Sequence, residues 1–424
     1  MNDKQTSENF DVIVIGGGPA GCTAATLVAR SGRRVLLLDR EDFPRFRVGE
    51  SLMPATYWTL ERLGVLDKMK ASQFTKKYSV QFFSGSGRSS VPFYFCDLDE
   101  HESSQTWQVD RPEFDQMLLD HAREAGVEVR LKANVKDVLF DQAQARGVVA
   151  EFDDGRQRTF GAKVIVDASG QTALVARKLG LKNRDPRLTH ASIFTRYRGA
   201  RRDTGRDEGA TLILQTTQPR TWFWYIPLPD ELVSVGVVGP VDRLLKGRDG
   251  TPQQIFDEEV QTCPALVERI QGAQQEMEIK VMRDFSYISH RIAGDGWVMA
   301  GDAFGFLDPI YSTGVFLALK SGELAADSII EAFDRDDFSG KVLGRHGDDY
   351  VQGMESMRKL VYAYYDDNFS FAGFLKQHPE CQADLVHLLI GNVFRRPVDG
   401  LFAAMGKMCE LPEARRLEPH EETH

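Results

Sequence analysis

The sequence predicts an α/β protein with a mostly antiparallel β-sheet laid over a part that begins with a parallel βαβ unit, and a helical C-terminal region. Three observations lead there. Near the N-terminus, "DVIVIGGGPAGCTAATLVARSGRRVLLLD" runs from an apolar stretch through a glycine turn and an Ala-rich helix to a second apolar stretch. From 190 to 284 nearly every segment alternates or runs apolar like a strand. From about 340 the pattern becomes helical.

In order, Val12 to Ile15 reads as a buried parallel strand, Pro19 to Arg30 as a helix, and Val35 to Leu38 as a second strand ending at Asp39. Together they make one βαβ unit. A less regular part follows, from "FPRFRVGESLMP" to "FYFCDLDE", and then the helix "RPEFDQMLLDHAREAG". "VEVRLKANVKDVLF" and "ARGVVAEFDDGRQRTF" alternate like antiparallel strands about a DDG turn. "KVIVDASG" is a further buried strand that stops at small residues. The β-rich section contains "HASIFTRYRG", "ATLILQTT", "TWFWYIPL", "LVSVGVVG" and "EIKVMRDFSY". After it, "GWVMAGDAFGFLDPIYSTGV" returns to strand, loop and helix. The expected division is a nucleotide-binding domain at 8–190 and 285–335, with about 75–105 belonging to the substrate side. A β-sheet domain at 190–285 and a helical region at 340–424 complete it.

Composition narrows the function classes. The 424 residues carry a formal net charge of −10, which argues against a nucleic-acid partner. The cysteines at 22, 96, 263, 381 and 409 form no CxxC pair, so they read as free thiols of a reducing cytoplasm. The polar start "MNDKQTSENF" lacks the apolar stretch of a secretion signal, and no apolar run is long enough to span a membrane. The histidines show no HxH or HExxH spacing, so no metal site is expected.

Gly16, Gly18 and Gly21 form GxGxxG between a strand and a helix. The first glycine permits the tight turn, the second admits a pyrophosphate and the third lets helix and strand pack closely. Phosphate would sit on the helix N-terminus, and Asp39 would accept a ribose hydroxyl. Two later segments refine this. "VDASG" ends a strand in small residues, and "AGDAFGFLDP" sets Asp302 and Asp308 around a glycine-rich turn. The threefold pattern resembles the Rossmann-like FAD-binding fold of class A flavin monooxygenases and their relatives. That resemblance brings Arg111 near the flavin, and with it Arg45, Glu50 and Ser51 of "FPRFRVGESLMP". No second GxGxxG marks a dedicated NADPH domain, so reduced FAD would arrive from a separate flavin reductase or by a transient NADPH visit.

"FPRFRVGESLMP", "TWFWYIP" and "GDAFGFLDPIYSTGV" together resemble the flavin-dependent halogenases over about residues 10 to 375. The family's WxWxIP box is here Trp222, Trp224, Ile226 and Pro227. In a strand, Trp222 and Trp224 point to one face, and the resemblance makes them a wall between flavin and substrate. It implies a flavin C4a-hydroperoxide attacked by chloride or bromide rather than by substrate, giving hypohalous acid. It makes Thr313 and Gly314 the halide-binding positions, with Gly314 also beside the flavin. It makes Lys77, rather than Lys76, the amine that steers the oxidised halogen. The branch acting on phenolic, pyrrolic or carrier-tethered substrates is the more similar one. Tryptophan halogenases are longer and carry Glu where this chain has Tyr311. The substrate would be a small electron-rich aromatic, free or on a carrier protein, in natural-product biosynthesis such as antibiotic assembly. Tyr362, Phe369, Phe371 and Phe374 would line its pocket, although helix packing explains them as well. An aromatic hydroxylase, a geranylgeranyl-reductase-like oxidoreductase and a non-catalytic redox sensor remain alternatives.

Overall fold

The computed structural model describes residues 8–97, 100–283, 286–394 and 398–418. The expected domain boundary near 285 and the end of the helical region at 424 lie outside the described residues.

The first sheet grows from the βαβ unit. The strand Glu8–Ile15 pairs in parallel with Val35–Leu38 on one side and Gln157–Asp167 on the other. Trp297–Met299 extends the parallel set beyond Gln157–Asp167. Because both faces of this sheet are covered, its strands are apolar runs rather than alternating ones, and Val12, Ile13, Val14 and Val35 to Leu38 are buried. The helix Pro19–Arg30 crosses one face and packs against the long helix Thr313–Arg335.

One element is longer than the sequence suggested. "RQRTF" and "KVIVDASG" belong to a single strand, Gln157–Asp167. Its first half pairs antiparallel with Gln144–Phe152 and its second half lies inside the parallel sheet. Gly161 in its middle faces Gly147, so two side-chain-free positions meet at the change of partner.

The second sheet is mostly antiparallel. His190–Arg198, Leu232–Pro240, Trp222–Pro227 and Thr211–Gln215 are neighbours in that order. Ser79–Phe83 then joins Thr211–Gln215 in parallel. Between the sheets lies one large core, while a smaller core packs on the outer face of the second sheet. The helices Gly347–Tyr364, Phe371–Gln377 and Gln382–Leu389 follow in the C-terminal region. Among the described residues no helix is long and apolar enough to cross a membrane.

Candidate active site

A cavity of about 610 Å³ runs between the two sheets. Its one end is the glycine turn. Gly16 sits at φ +103°, where side chains are strained, and a Cβ on Gly21 would lie 1.9 Å from the Gly16 carbonyl oxygen. The helix that follows begins at Gly18 without a side-chain cap, so its first N–H groups face the cavity beside Gly18, Pro19 and Ala20.

Asp39 is held there from three sides. Its carboxylate accepts the Gly17 N–H at 2.7 Å and the Glu41 N–H at 2.9 Å, and the Arg45 guanidinium lies 3.6 Å away. Arg45 also pairs with Asp115 at 2.7 Å, and Arg111 grips the same Asp115 through two bonds of 2.8 and 3.0 Å. Arg111 Nη1 donates to the Val48 carbonyl at 2.8 Å, which ties the loop before Glu50 to the helix Arg111–Glu124. Glu50 is buried against Arg196 at 2.9 Å, and burial raises its pKa although Arg196 opposes this. Asp302 lines the cavity beyond, and burial pushes its carboxyl up to about 6, opposed by Arg111 and Lys182.

These residues fit FAD. An uncapped helix N-terminus, a backbone that excludes side chains and a basic Arg45 suit a pyrophosphate. Glu50 Oε2 and Arg45 Nε are buried without a well-aligned partner among the described residues, polar atoms that a bound polar ring or phosphate would satisfy.

The tryptophan strand closes the other end. Trp222, Trp224 and Ile226 line the cavity, while Phe223 and Tyr225 turn to the outer core. Period-two alternation thus sorts five consecutive residues to two faces. Both indoles are pinned by their N–H groups. Trp224 Nε1 donates to Ser234 Oγ at 3.1 Å, and Trp222 Nε1 donates to the Tyr365 hydroxyl at 2.9 Å. That hydroxyl lies 3.2 and 3.3 Å from the two Asp308 oxygens, so it donates to the carboxylate. Asp308 also faces His190 Nδ1 at 3.1 Å and accepts the Ile310 N–H at 3.0 Å. One buried carboxylate therefore joins the wall to the loop leading into Thr313–Arg335. Sequence reasoning missed His190 and Ser234, and it read Tyr365 only as part of an aromatic segment, not as the partner of Trp222. They carry no motif and meet Trp222 and Trp224 only through tertiary packing.

Ser312 and Gly314 line the cavity at the start of the long helix, where Ser312 takes a left-handed φ of 57°. Thr313 is buried beside them but does not line it. Lys76 is exposed and Lys77 is 2% exposed. Lys77 Nζ donates to Ser51 Oγ at 2.8 Å and to the Leu52 carbonyl at 3.1 Å. Burial alone pulls the Lys77 ammonium down to about 7. The aromatics expected at the substrate pocket lie away from this flavin-side cavity. Tyr362 donates to Asp185 at 2.7 Å, and Phe369, Phe371 and Phe374 cluster with one another. None of the four lines the cavity on the flavin side of the tryptophan wall.

Comparison with known proteins agrees with this geometry. The chain matches the FAD binding domain family over residues 9–332. It is 32% identical over 410 residues to a 1H-pyrrole-2-carbonyl-(peptidyl-carrier protein) chlorinase from Pseudomonas fluorescens, covering 92% of this chain and 90% of the relative. It is 33% identical over 389 residues to the corresponding brominase from Pseudoalteromonas luteoviolacea, covering 91% and 93%. A solved triple mutant of a flavin-dependent brominase superposes with a TM-score of 0.84 at 31% identity, covering 94% of this chain and 99% of that one. Relatives matched along almost their whole length, around a cavity shaped for a flavin, leave one conclusion: the chain belongs to the flavin-dependent halogenases, FAD-dependent oxidoreductases.

Proposed function

We propose that this halogenase acts on a pyrrole-2-carbonyl group tethered to a peptidyl carrier protein. The observation that carries the proposal is the end-to-end similarity to two enzymes named for that substrate, one a chlorinase and one a brominase. The enzyme works in the cytoplasm as one half of a two-component system, and a separate flavin reductase provides reduced FAD.

When bound, reduced FAD supplies with dioxygen the two-electron oxidation of halide to hypohalous acid. The chain's own residues do the rest. Gly16, Gly18, Gly21 and the helix they open hold the pyrophosphate, with Arg45 as counter-charge. Asp39 takes a ribose hydroxyl with its remaining lone pairs. Asp302, Arg111, Glu50 and Ser51 flank the ring system. The free N–H groups around Thr313 and Gly314 favour a halide, because an uncapped helix start carries partial positive charge. Thr313 contributes backbone there, since its side chain is packed away from the cavity. Trp222 and Trp224 keep the pyrrole from the flavin, each fixed by its N–H bond. Lys77 is the catalytic amine. Burial brings the neutral amine within reach near physiological pH, and that amine accepts the halogen from hypohalous acid and passes it to the ring.

The test supplies reduced FAD, oxygen and bromide or chloride to the full-length enzyme with three acceptors. These are pyrrole-2-carbonyl on a carrier protein, free pyrrole-2-carboxylate and tryptophan. Intact-protein mass spectrometry should show halogen added to the carrier-borne ring and none on the free molecules. Equal halogenation of the free acid would remove the carrier from the proposal.

A further inference from the structure

Lys77 does not line the cavity; Ser51 and Thr211 do. On the flavin side two hydroxyl groups stand between the amine and the cavity, so proton exchange there passes through them, while halogen transfer takes place directly at Nζ. Lys77 Nζ lies 2.8 Å from Ser51 Oγ, and Ser51 Oγ lies 2.9 Å from Thr211 Oγ1. Gln108 Nε2 donates to Thr211 Oγ1 at 2.8 Å and to the Gly209 carbonyl at 2.9 Å. All four side chains are buried. Backbone pairing fixes them: Lys77 faces Thr106, Ser51 bridges Gln108, and Thr211 faces Val80.

The amide of Gln108 can only donate through Nε2, so it occupies a Thr211 lone pair and leaves the hydroxyl hydrogen free to turn. With a neutral amine, Thr211 donates to Ser51 and Ser51 donates to the Nζ lone pair. With an ammonium, Nζ donates to Ser51, Ser51 to Thr211, and Thr211 to the cavity. Three successive hops, from Nζ to Ser51, from Ser51 to Thr211 and from Thr211 to water in the cavity, turn the second arrangement into the first, and rotation of the two hydroxyls resets the chain. No charged side chain contributes to holding the Lys77 pKa down; burial is its only cause.

We propose that Ser51 and Thr211, oriented by Gln108, are positioning residues that hold Lys77 Nζ at the cavity wall and relay its proton. This rests on the assignment of Lys77 as the halogen carrier. In the balance of the reaction, the ammonium first gives its proton through Ser51 and Thr211 to solvent water in the cavity, which carries it away as hydronium. The amine then attacks hypohalous acid. The N–halogen bond forms as the O–halogen bond breaks, and one amine proton leaves with hydroxide as water. The ring next takes the halogen from nitrogen, and the ring proton returns to the nitrogen as neutral amine. Only the first step needs the relay, so the relay matters most where Lys77 starts protonated.

The experiment compares Ser51→Ala, Ser51→Thr, Thr211→Val and Lys77→Met in the full-length, FAD-loaded enzyme. One readout is the titration of the Lys77 side-chain carbon by NMR with carbon-13 lysine, its signal identified by its loss in Lys77→Met. The other is organohalogen formed per flavin oxidised across neutral pH. Ser51→Ala should lower the titration midpoint by about one pH unit, because the ammonium loses its side-chain acceptor. It should also cut the halogenation yield roughly tenfold, the lower range of a proton-transfer contribution. Ser51→Thr should restore both, and Thr211→Val should lose yield chiefly on the acid side of neutrality. An unchanged midpoint and yield in Ser51→Ala overturns the relay, as does equal impairment in Ser51→Thr. Undiminished halogenation by Lys77→Met would instead overturn the role of Lys77 itself.

Discussion

At the residue scale, Lys77 shows what burial does to a charge. Nearly the whole side chain is out of water, and no carboxylate repays the loss. Its pKa falls from the ordinary 10.5 to about 7. Between those values the unfolded chain binds a proton that the folded one does not, so stability rises with pH there. Below the folded value both states are protonated and the full penalty remains. Lys77→Met removes the titration while keeping the volume. Its stability gain over the parent should be largest at and below neutral pH, then shrink by about 1.4 kcal/mol per pH unit as alkalinity increases. Urea unfolding at several pH values measures this, and a constant difference would count against a neutral buried amine. The same residue shows what sequence could say. Adjacent lysines on a strand face opposite ways, so one had to turn inward. The choice of Lys77 came from its resemblance to a motif, and the Ser51 contact that explains it comes from a loop 26 positions earlier.

At the element scale, the strand Trp222–Pro227 depends on its neighbour. Trp224 stands opposite Gly236, and a Cβ there would lie 2.3 Å from the indole. Gly236→Ala should therefore displace Trp224 and cost about 1–3 kcal/mol, the usual penalty for overpacking. Thermal unfolding reads the cost, and the tryptophan fluorescence of the folded variant reads the displacement. An unchanged melting temperature with an unchanged spectrum would show that the indole has room to spare. Tyr365 offers the complementary change. Tyr365→Phe leaves the ring against His190 but removes the hydroxyl between Trp222 and Asp308. A buried indole N–H and one carboxylate contact then lose their partner, a cost of about 1–3 kcal/mol. If the wall is held by this bond, more hypohalous acid should escape to a trapping reagent for each halogenated product. Equal escape in Tyr365→Phe and the parent would mean that packing alone holds Trp222.

At the scale of the whole molecule, the cavity is the seam between two sheets. Gly16, Asp39 and Ala168 come from the first, and Thr211, Trp222 and Ile226 from the second. A ligand that fills the seam binds only the folded arrangement. FAD at a hundred times its dissociation constant should thus stabilise the protein by about 2.7 kcal/mol. Gly21→Ala should abolish that gain, since its Cβ would meet the Gly16 backbone at 1.9 Å and break the turn. Differential scanning calorimetry with and without FAD gives the comparison. A retained shift in Gly21→Ala would show that the turn is not what holds the cofactor.

The sequence by itself determined the α/β class and the βαβ unit and, through its resemblance to a known family, pointed to the flavin and the halogenase chemistry. Each is written in short-range pattern. Apolar runs mark the parallel strands, glycine spacing marks the turn that admits a pyrophosphate, and WxWxIP places two indoles on one face. Only the tertiary structure decided what surrounds these motifs. It joined "RQRTF" to "KVIVDASG" in one strand, because the break between them is a change of pairing partner rather than a turn. It gathered Phe369, Phe371 and Phe374 into one cluster apart from the flavin-side cavity, a placement that the aromatic-rich pattern alone does not fix. It also brought Tyr365, Asp308 and His190 to Trp222, and Ser51, Thr211 and Gln108 to Lys77. Those contacts span 26 to 160 residues of chain, where local periodicity carries no information and the packing of two sheets settles who meets whom.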